Sequence, residues 1–153
     1  MKKIAACFFL FLSAAAAPSF ASAQEKPGQI GAGIYLGIPF GFTAKYLMTR
    51  DAAVDMALGI QGSNFDGHAD ILTHFRDLPN QPVQGTIAPY IGAGIKLEDQ
   101  AQILFGFRLV GGVSYIPSKT TPIEIFGELA PVLRVSPSTG TNLDGGVGLR
   151  YYF

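Results

Sequence analysis

The chain has 153 residues, with 11 Lys and Arg against 11 Asp and Glu, a length that predicts one domain. No segment after residue 23 is apolar over the roughly 18 residues that a spanning helix needs. The single cysteine, Cys7, excludes a disulfide framework, and its position almost directly after the first lysines argues against a lipoprotein anchor.

The N-terminus has the pattern of a secretory signal peptide. Two lysines precede an uncharged stretch, 4–17, which is followed by a proline and the small-residue triplet 21–23. This layout predicts cleavage after residue 23, and the apolar stretch is too short to favour an uncleaved membrane anchor. The expected domain is therefore 24–153. Without the two lysines it carries 9 Lys and Arg against 11 Asp and Glu, a balance that argues against nucleic acid as a partner.

Alternation of apolar and polar residues recurs through this domain and predicts strands. Eight segments show it: 29–37, 41–47, 53–62, 67–76, 86–98, 103–116, 122–135 and 142–153. The breaks between them are rich in Gly, Pro, Asn, Asp and Ser, which favour turns. All are short enough to join neighbouring antiparallel strands and too short for a crossover helix. We therefore predict an all-β fold, an eight-stranded antiparallel up-and-down barrel.

The last segment shows the alternation most clearly. Leu143, Val147, Leu149 and Tyr151 share one face, while the opposite face carries polar side chains and glycines. Across all eight segments the apolar phase contains no charged residue. The opposite phase collects six positive and six negative charges, beside His68 and His74. These twelve residues are Lys45, Asp55, Asp70, Arg76, Lys96, Glu98, Arg108, Glu124, Glu128, Arg134, Asp144 and Arg150.

Alternation leaves the sense of the barrel open, because a soluble ligand-binding barrel has its apolar face inside and a membrane barrel has it outside. Three features favour the membrane barrel. Equal numbers of opposite charges suit a sealed interior, where an unpaired ion costs several kcal/mol. Many glycines on the polar phase suit tight curvature around a narrow interior. Aromatic residues of the apolar phase lie near segment ends, as in the girdles of membrane barrels.

The charged residues then predict a network inside the barrel. The seventh and eighth segments are neighbours, so Glu124 and Glu128 are the expected partners of Arg150. Pro89 and Pro131 fall within segments and cannot donate to a strand ladder, which predicts a local break or bulge at each.

The chain ends on Phe153, preceded at alternate positions by Tyr151, Leu149 and Val147. This C-terminal strand resembles the signal by which the barrel-assembly machinery recognises outer-membrane proteins. With the signal peptide and the eight segments, the chain resembles the small outer-membrane barrels that include the OmpA transmembrane domain and the OmpX/Ail group. The resemblance implies a bacterial outer-membrane location and contact with outer-membrane lipids. Those relatives generally carry long outer loops, and the short connections here argue against adhesion through such loops.

Several functions compete with a structural or surface-interaction role. His68 and His74 lie six residues apart on one segment, about 20 Å along a strand, so they cannot share a metal without help from other strands. Lipid A-modifying barrel enzymes are a second class, but no His-x-Ser motif occurs and no apolar-phase position carries a His or an acid. An open pore is a third, and charged side chains across a narrow lumen argue against it. A soluble periplasmic ligand-binding barrel remains the main alternative. We predict no catalytic residues, no metal and no cofactor.

Overall fold

A computed structural model describes residues 26–118 and 120–153, and the predicted signal peptide, 1–23, lies outside them. Within the described residues the chain forms eight strands. They are β1 (Ile30–Gly37), β2 (Phe40–Leu47), β3 (Ala52–Gln61), β4 (Asn64–His74), β5 (Thr86–Asp99), β6 (Ile103–Ile116), β7 (Ile123–Ser136) and β8 (Gly140–Tyr152). No helix among these residues is long and apolar enough to cross a membrane.

Each strand pairs antiparallel with the next one in the chain, and β8 pairs with β1 to close the barrel. The predicted eight-stranded up-and-down barrel is therefore confirmed. We call the end that holds the start of β1 and the end of β8 the terminal rim. The connections 48–51, 75–85 and 117–122 lie there. The opposite end, the distal rim, has the shorter connections 38–39, 62–63, 100–102 and 137–139.

The fourth strand differs most from its predicted bounds. It begins at Asn64 and ends at His74, whereas the alternation predicted 67–76. Asn64 and Asp66 fall in the predicted turn between the third and fourth segments, because Asn and Asp favour turns. In the barrel Asp66 instead points inward and is fully buried. Arg76, predicted as a strand residue, lies beyond the end of β4 in the connection to β5.

The two strand prolines have different consequences. Pro131 lies where the β6–β7 pairing is interrupted, between Arg108↔Val132 and Gly111↔Leu129, which agrees with the predicted break. Pro89, in contrast, pairs in register with Val113 on β6. Its carbonyl accepts from Phe75 N, so its nitrogen faces β4 as well, where it has no hydrogen to donate in return. The β4–β5 pairing ends beside it, at His74↔Tyr90, so the predicted break at Pro89 lies on the β4 side of the strand.

The two faces of the wall differ sharply in polarity. Outward-facing side chains are large and apolar: Phe42 is 76% exposed, and Leu109 and Leu129 are each 63% exposed. Inward-facing positions hold charged residues, tyrosines, small residues and glycines, together with a few large apolar side chains such as Leu47, Leu72 and Phe126. The apolar phase of the sequence is therefore on the outside of the barrel, the reverse of a soluble protein with an apolar core.

Some inward glycines are required by the curvature of the wall, and Gly33 is the clearest case. A Cβ added at Gly33 would collide with the backbone of Leu149 and Arg150 on β8, whereas a Cβ at Gly111, on the outer face of β6, would meet nothing within 4 Å. We expect Gly33→Ala to lower the free energy of unfolding by about 1 to 3 kcal/mol, as overpacking does.

Gly111→Ala is the matched control, and it should leave stability unchanged or raise it by up to about 1 kcal/mol. Urea unfolding in lipid or detergent measures both variants. Equal effects from the two substitutions would show that the close approach of β1 to β8 does not limit the packing of the wall.

Candidate functional site: the charged lumen

Most of the predicted network lies inside the barrel. Ten of its twelve members are buried: Lys45, Asp55, Asp70, Lys96, Glu98, Arg108, Glu124, Glu128, Asp144 and Arg150. The other two, Arg76 and Arg134, are half-buried and lie at opposite rims. Arg76 Nε lies 3.8 Å from Oδ1 of Asp51. The buried members form three layers along the barrel axis.

The layer nearest the terminal rim is centred on Glu124 of β7. Its Oε1 accepts from Lys45 Nζ at 2.7 Å and from Ser114 Oγ at 2.5 Å. Its Oε2 accepts from the Tyr152 hydroxyl at 2.7 Å and from Arg150 Nη1 at 3.4 Å. Both carboxylate oxygens are thus satisfied by groups from β2, β6 and β8. This one side chain connects both sides of the lumen.

Arg150 continues the same layer toward β2 and β3. Its Nη2 donates to Asp55 Oδ1 at 2.5 Å and to Thr43 Oγ1 at 2.7 Å. Its guanidinium lies over the Phe126 ring, 3.7 Å from the ring centroid, within the range of a cation–π contact. Arg150 is therefore held by two carboxylates, a hydroxyl and an aromatic face.

The middle layer is centred on Glu128. Its carboxylate accepts from Arg108 Nη2 at 2.8 Å, from the Tyr90 hydroxyl at 2.9 Å and from the Tyr35 hydroxyl at 3.1 Å. Arg108 also lies 3.0 Å from Asp70 through Nε. The imidazole of His68 lies 3.9 Å from both Asp70 and Glu128, too far for a hydrogen bond.

The distal layer is centred on Lys96. Its Nζ lies 2.6 Å from Asp144 Oδ2, 2.9 Å from Asp66 Oδ2 and 3.2 Å from Gln61 Oε1. Glu98, in the same part of the lumen, accepts from the amides of Gln100 at 2.7 Å and Asn64 at 3.3 Å. One cation here faces three carboxyl groups.

Two predictions about the network are wrong. Glu128 does not bind Arg150: the partners of Arg150 are Glu124 and Asp55, and that of Glu128 is Arg108.

The predicted equal number of positive and negative charges inside the barrel is also wrong. Among the described residues, four buried cations face seven buried carboxyl groups, because Asp66 was missed and two arginines lie at the rims. Hydroxyl and amide donors take up part of this excess. A charge-bearing residue beside Phe65, an outward aromatic, was the signal that could have placed Asp66 on the inner face.

The histidines do not come together. His74 lies near the terminal rim, where its Nδ1 is 3.2 Å from the Asp51 carbonyl and its ring contacts Tyr90. His68 lies in the middle layer. Across residues 26–118 and 120–153, no group of three or more His, Cys, Asp or Glu side chains could hold a metal ion.

The last strand places its alternate residues on the outer surface. Val147, Leu149, Tyr151 and Phe153 are all exposed, and the rings of Tyr151 and Phe153 meet edge to face with centroids 5.1 Å apart. β8 pairs with β1 on one side and with β7 on the other. The four residues thus form a continuous apolar stripe along the outer face of β8, which closes the barrel by pairing with β1.

The longest connection, 75–85, is tied to the terminal rim. Arg50 donates to Asp77 at 2.6 Å, and this hydrogen bond raises the pKa of Arg50. Gln81 donates to the carbonyls of Arg76 and Ile87 and accepts from the amide of Ile87. Hydrogen bonds to both ends of the connection therefore hold it in place, while Val83 remains exposed.

Comparison with known proteins identifies the fold and no more. No family model matches the chain, and no curated protein matches it. A solved structure that it resembles is the N-terminal beta-barrel domain of Pseudomonas aeruginosa OprF, with a TM-score of 0.61 and 14% sequence identity over 84% of this chain and 100% of that one. The chain therefore has the fold of the small eight-stranded outer-membrane barrels that its sequence resembles.

Proposed function

We propose that this protein is an integral outer-membrane barrel with a structural role, whose lumen is plugged by its own charged side chains. The observation that carries the proposal is the polarity of the wall: large apolar side chains cover the outside, while lysines, arginines and carboxylates are buried inside. In water that exterior would be a large exposed apolar surface, and in a bilayer it is solvated by lipid chains.

The same polarity argues against a soluble periplasmic barrel. A soluble ligand-binding barrel keeps its apolar residues inside, where they bind the ligand. Here the interior is crossed by three layers of ion pairs and hydrogen bonds, and its apolar residues, such as Leu47, Leu72 and Phe126, form two small clusters. No catalytic role is proposed, because His68 and His74 lie in separate layers.

The direct test is the association of the protein with membranes. We expect it to remain in the outer-membrane fraction after high-salt and carbonate washing, and to show heat-modifiable mobility on gels. Release of the folded protein into the soluble fraction by either wash would favour the soluble alternative and overturn the proposal.

The plugged lumen is tested by conductance. Eight strands leave an interior only wide enough for side chains, and the buried ion pairs Lys45–Glu124 and Lys96–Asp144 support a plug in this one. We expect the purified barrel to give no current steps in planar bilayers. Regular steps that scale with salt concentration would show an open path and contradict the plug.

The outward stripe of β8 suggests assembly by the barrel-assembly machinery, with Val147, Leu149, Tyr151 and Phe153 as the recognised residues. We expect deletion of Phe153 to lower the amount of assembled barrel in the outer membrane and to raise its degradation before insertion. Phe107→Ala removes an exposed phenyl ring elsewhere on the outer wall and serves as the control. Unchanged membrane yield after deletion of Phe153 would count against the assembly signal.

A further inference from the structure

The terminal rim of the barrel is level. The contact Lys45–Glu124 crosses the lumen from β2 to β7, and the contact Ser114–Glu124 joins the neighbouring strands β6 and β7. Lys45 and Ser114 each lie two residues from the terminal-rim end of their strand, and Glu124 lies one residue from the end of β7. Because these side chains meet, the strand ends beyond them lie at nearly the same height along the barrel axis.

The distal rim is oblique, because the strands differ in length. β1 and β2 have 8 residues each, whereas β5, β6 and β7 have 14. With the usual rise per residue and the usual tilt of the strands, this difference in strand length corresponds to about 15 Å along the barrel axis. By the same estimate the wall at β1 and β2 is only about 20 Å high. The apolar band of outer-membrane barrels is about 25 Å high, so the wall is shorter than this band.

The β8 edge beside this low wall lacks a neighbouring strand. The β1–β8 pairing ends at Gly37↔Gly146, and Ile38 donates to the Gly145 carbonyl. Thr141 and Leu143, which share the phase of Gly145, direct their backbone groups to the same side. No strand of the described chain pairs with them there. We call the space between this edge and the Ile38–Pro39 turn the notch.

We propose that the bilayer leaflet at the distal rim is thinned beside β1 and β2, and that lipid headgroups with their water fill the notch. This inference rests on the membrane barrel proposed above. An unpaired backbone group in hydrocarbon costs several kcal/mol, so the Thr141 and Leu143 groups require a polar environment. Thinning of the bilayer is one response to a wall that is too short, and it brings headgroups to that height.

The outer surface below the notch identifies the occupant as lipid. Ile34, Leu36, Phe40 and Phe42 all face outward and are exposed. They continue the apolar exterior of the neighbouring strands without a charged residue. A second copy of the chain or a peptide strand would have to cover this surface and exclude lipid from it, while a tilted barrel would carry the terminal rim of β2 into the hydrocarbon.

The chain contains no Trp, so single-Trp variants report depth in the bilayer without background. We would place Trp at Phe40, at the distal end of β2, at Leu109, in the middle of β6, and at Ile103, at the distal end of β6. Tyr46→Trp reports the terminal end of β2. Each variant is folded into dioleoyl-phosphatidylcholine vesicles that contain phosphatidylcholine brominated either near the headgroup or near the chain end, and the ratio of shallow to deep quenching is measured.

We expect Phe40→Trp to give a shallow ratio similar to that of Ile103→Trp, and Leu109→Trp to give a deep one. Tyr46→Trp should also be shallow. A deep ratio for Phe40→Trp would overturn the inference in favour of an undeformed bilayer. An absence of lipid quenching at Phe40 alone would overturn it in favour of a protein occupant, and a deep ratio for Tyr46→Trp in favour of a tilted barrel. An absence of quenching at every position would instead contradict the membrane barrel itself.

Discussion

Replacing Glu124 by Gln is expected to lower the free energy of unfolding by about 3 to 5 kcal/mol, the cost of removing one partner from a buried ion pair. The substitution keeps the volume of the side chain. It leaves Lys45 without the carboxylate that it contacts at 2.7 Å, and it leaves Arg150 with Asp55 as its remaining carboxylate partner. Urea unfolding of the barrel in lipid or detergent measures the loss.

Asp77→Asn provides the matched control. It also removes one member of an Arg–carboxylate pair, that with Arg50, but both side chains are exposed, and exposed pairs contribute little to stability. We expect no clear change in unfolding. A Glu124→Gln variant as stable as Asp77→Asn would show that the terminal layer of the lumen is hydrated and contributes little to the fold.

Double-mutant cycles test which partners the lumen contains. The contacts predict strong coupling between Glu124 and Arg150 and between Glu128 and Arg108, and weaker coupling between Glu128 and Arg150. Residues in direct contact usually show interaction energies of about 0.5 to 3 kcal/mol. If Glu128 and Arg150 give the largest coupling of the three pairs, the observed arrangement of the layers is wrong.

The second large effect is expected on the outer surface. Leu109 lies in the middle of β6 and is 63% exposed, so Leu109→Arg would place a charge at the centre of the bilayer. We expect a loss of about 2 to 4 kcal/mol in the folding free energy measured in phospholipid vesicles. Ile125→Arg and Leu149→Arg, on the outer faces of β7 and β8, should act in the same direction.

Ile103→Arg is the control on the same strand and the same face. It lies at the distal end of β6, where an Arg near the bilayer interface costs only about 0 to 1 kcal/mol. The expected result is therefore a dependence on depth, with Leu109→Arg far more harmful than Ile103→Arg. Equal tolerance of both substitutions in a folded barrel would reverse the assignment of the inner and outer faces.

The barrel itself was predictable from the sequence because side chains alternate between the two faces of a strand. The apolar and polar phases of β5 to β8 therefore indicate both the strands and the side of the wall on which each residue lies. Alternation does not set the strand bounds where the residue types also favour a turn. Asn64 and Asp66 are turn-forming residues by type, and only the position of Lys96 on the neighbouring strand β5 explains why Asp66 lies within a strand and is buried.

The sequence by itself determined the number of strands, their order and ten of the inward-facing charges, since all of these follow from a repeat of two residues and from short connections. Only the tertiary structure decided which charges meet. Lys45 and Glu124 are 79 residues apart, and their contact depends on how far each strand is staggered against the next around a closed wall. The same stagger, together with the unequal strand lengths, produces the low wall at β1 and β2 and the unpaired edge of β8. The sequence could not predict these features, because no local pattern in one strand specifies where its neighbour ends.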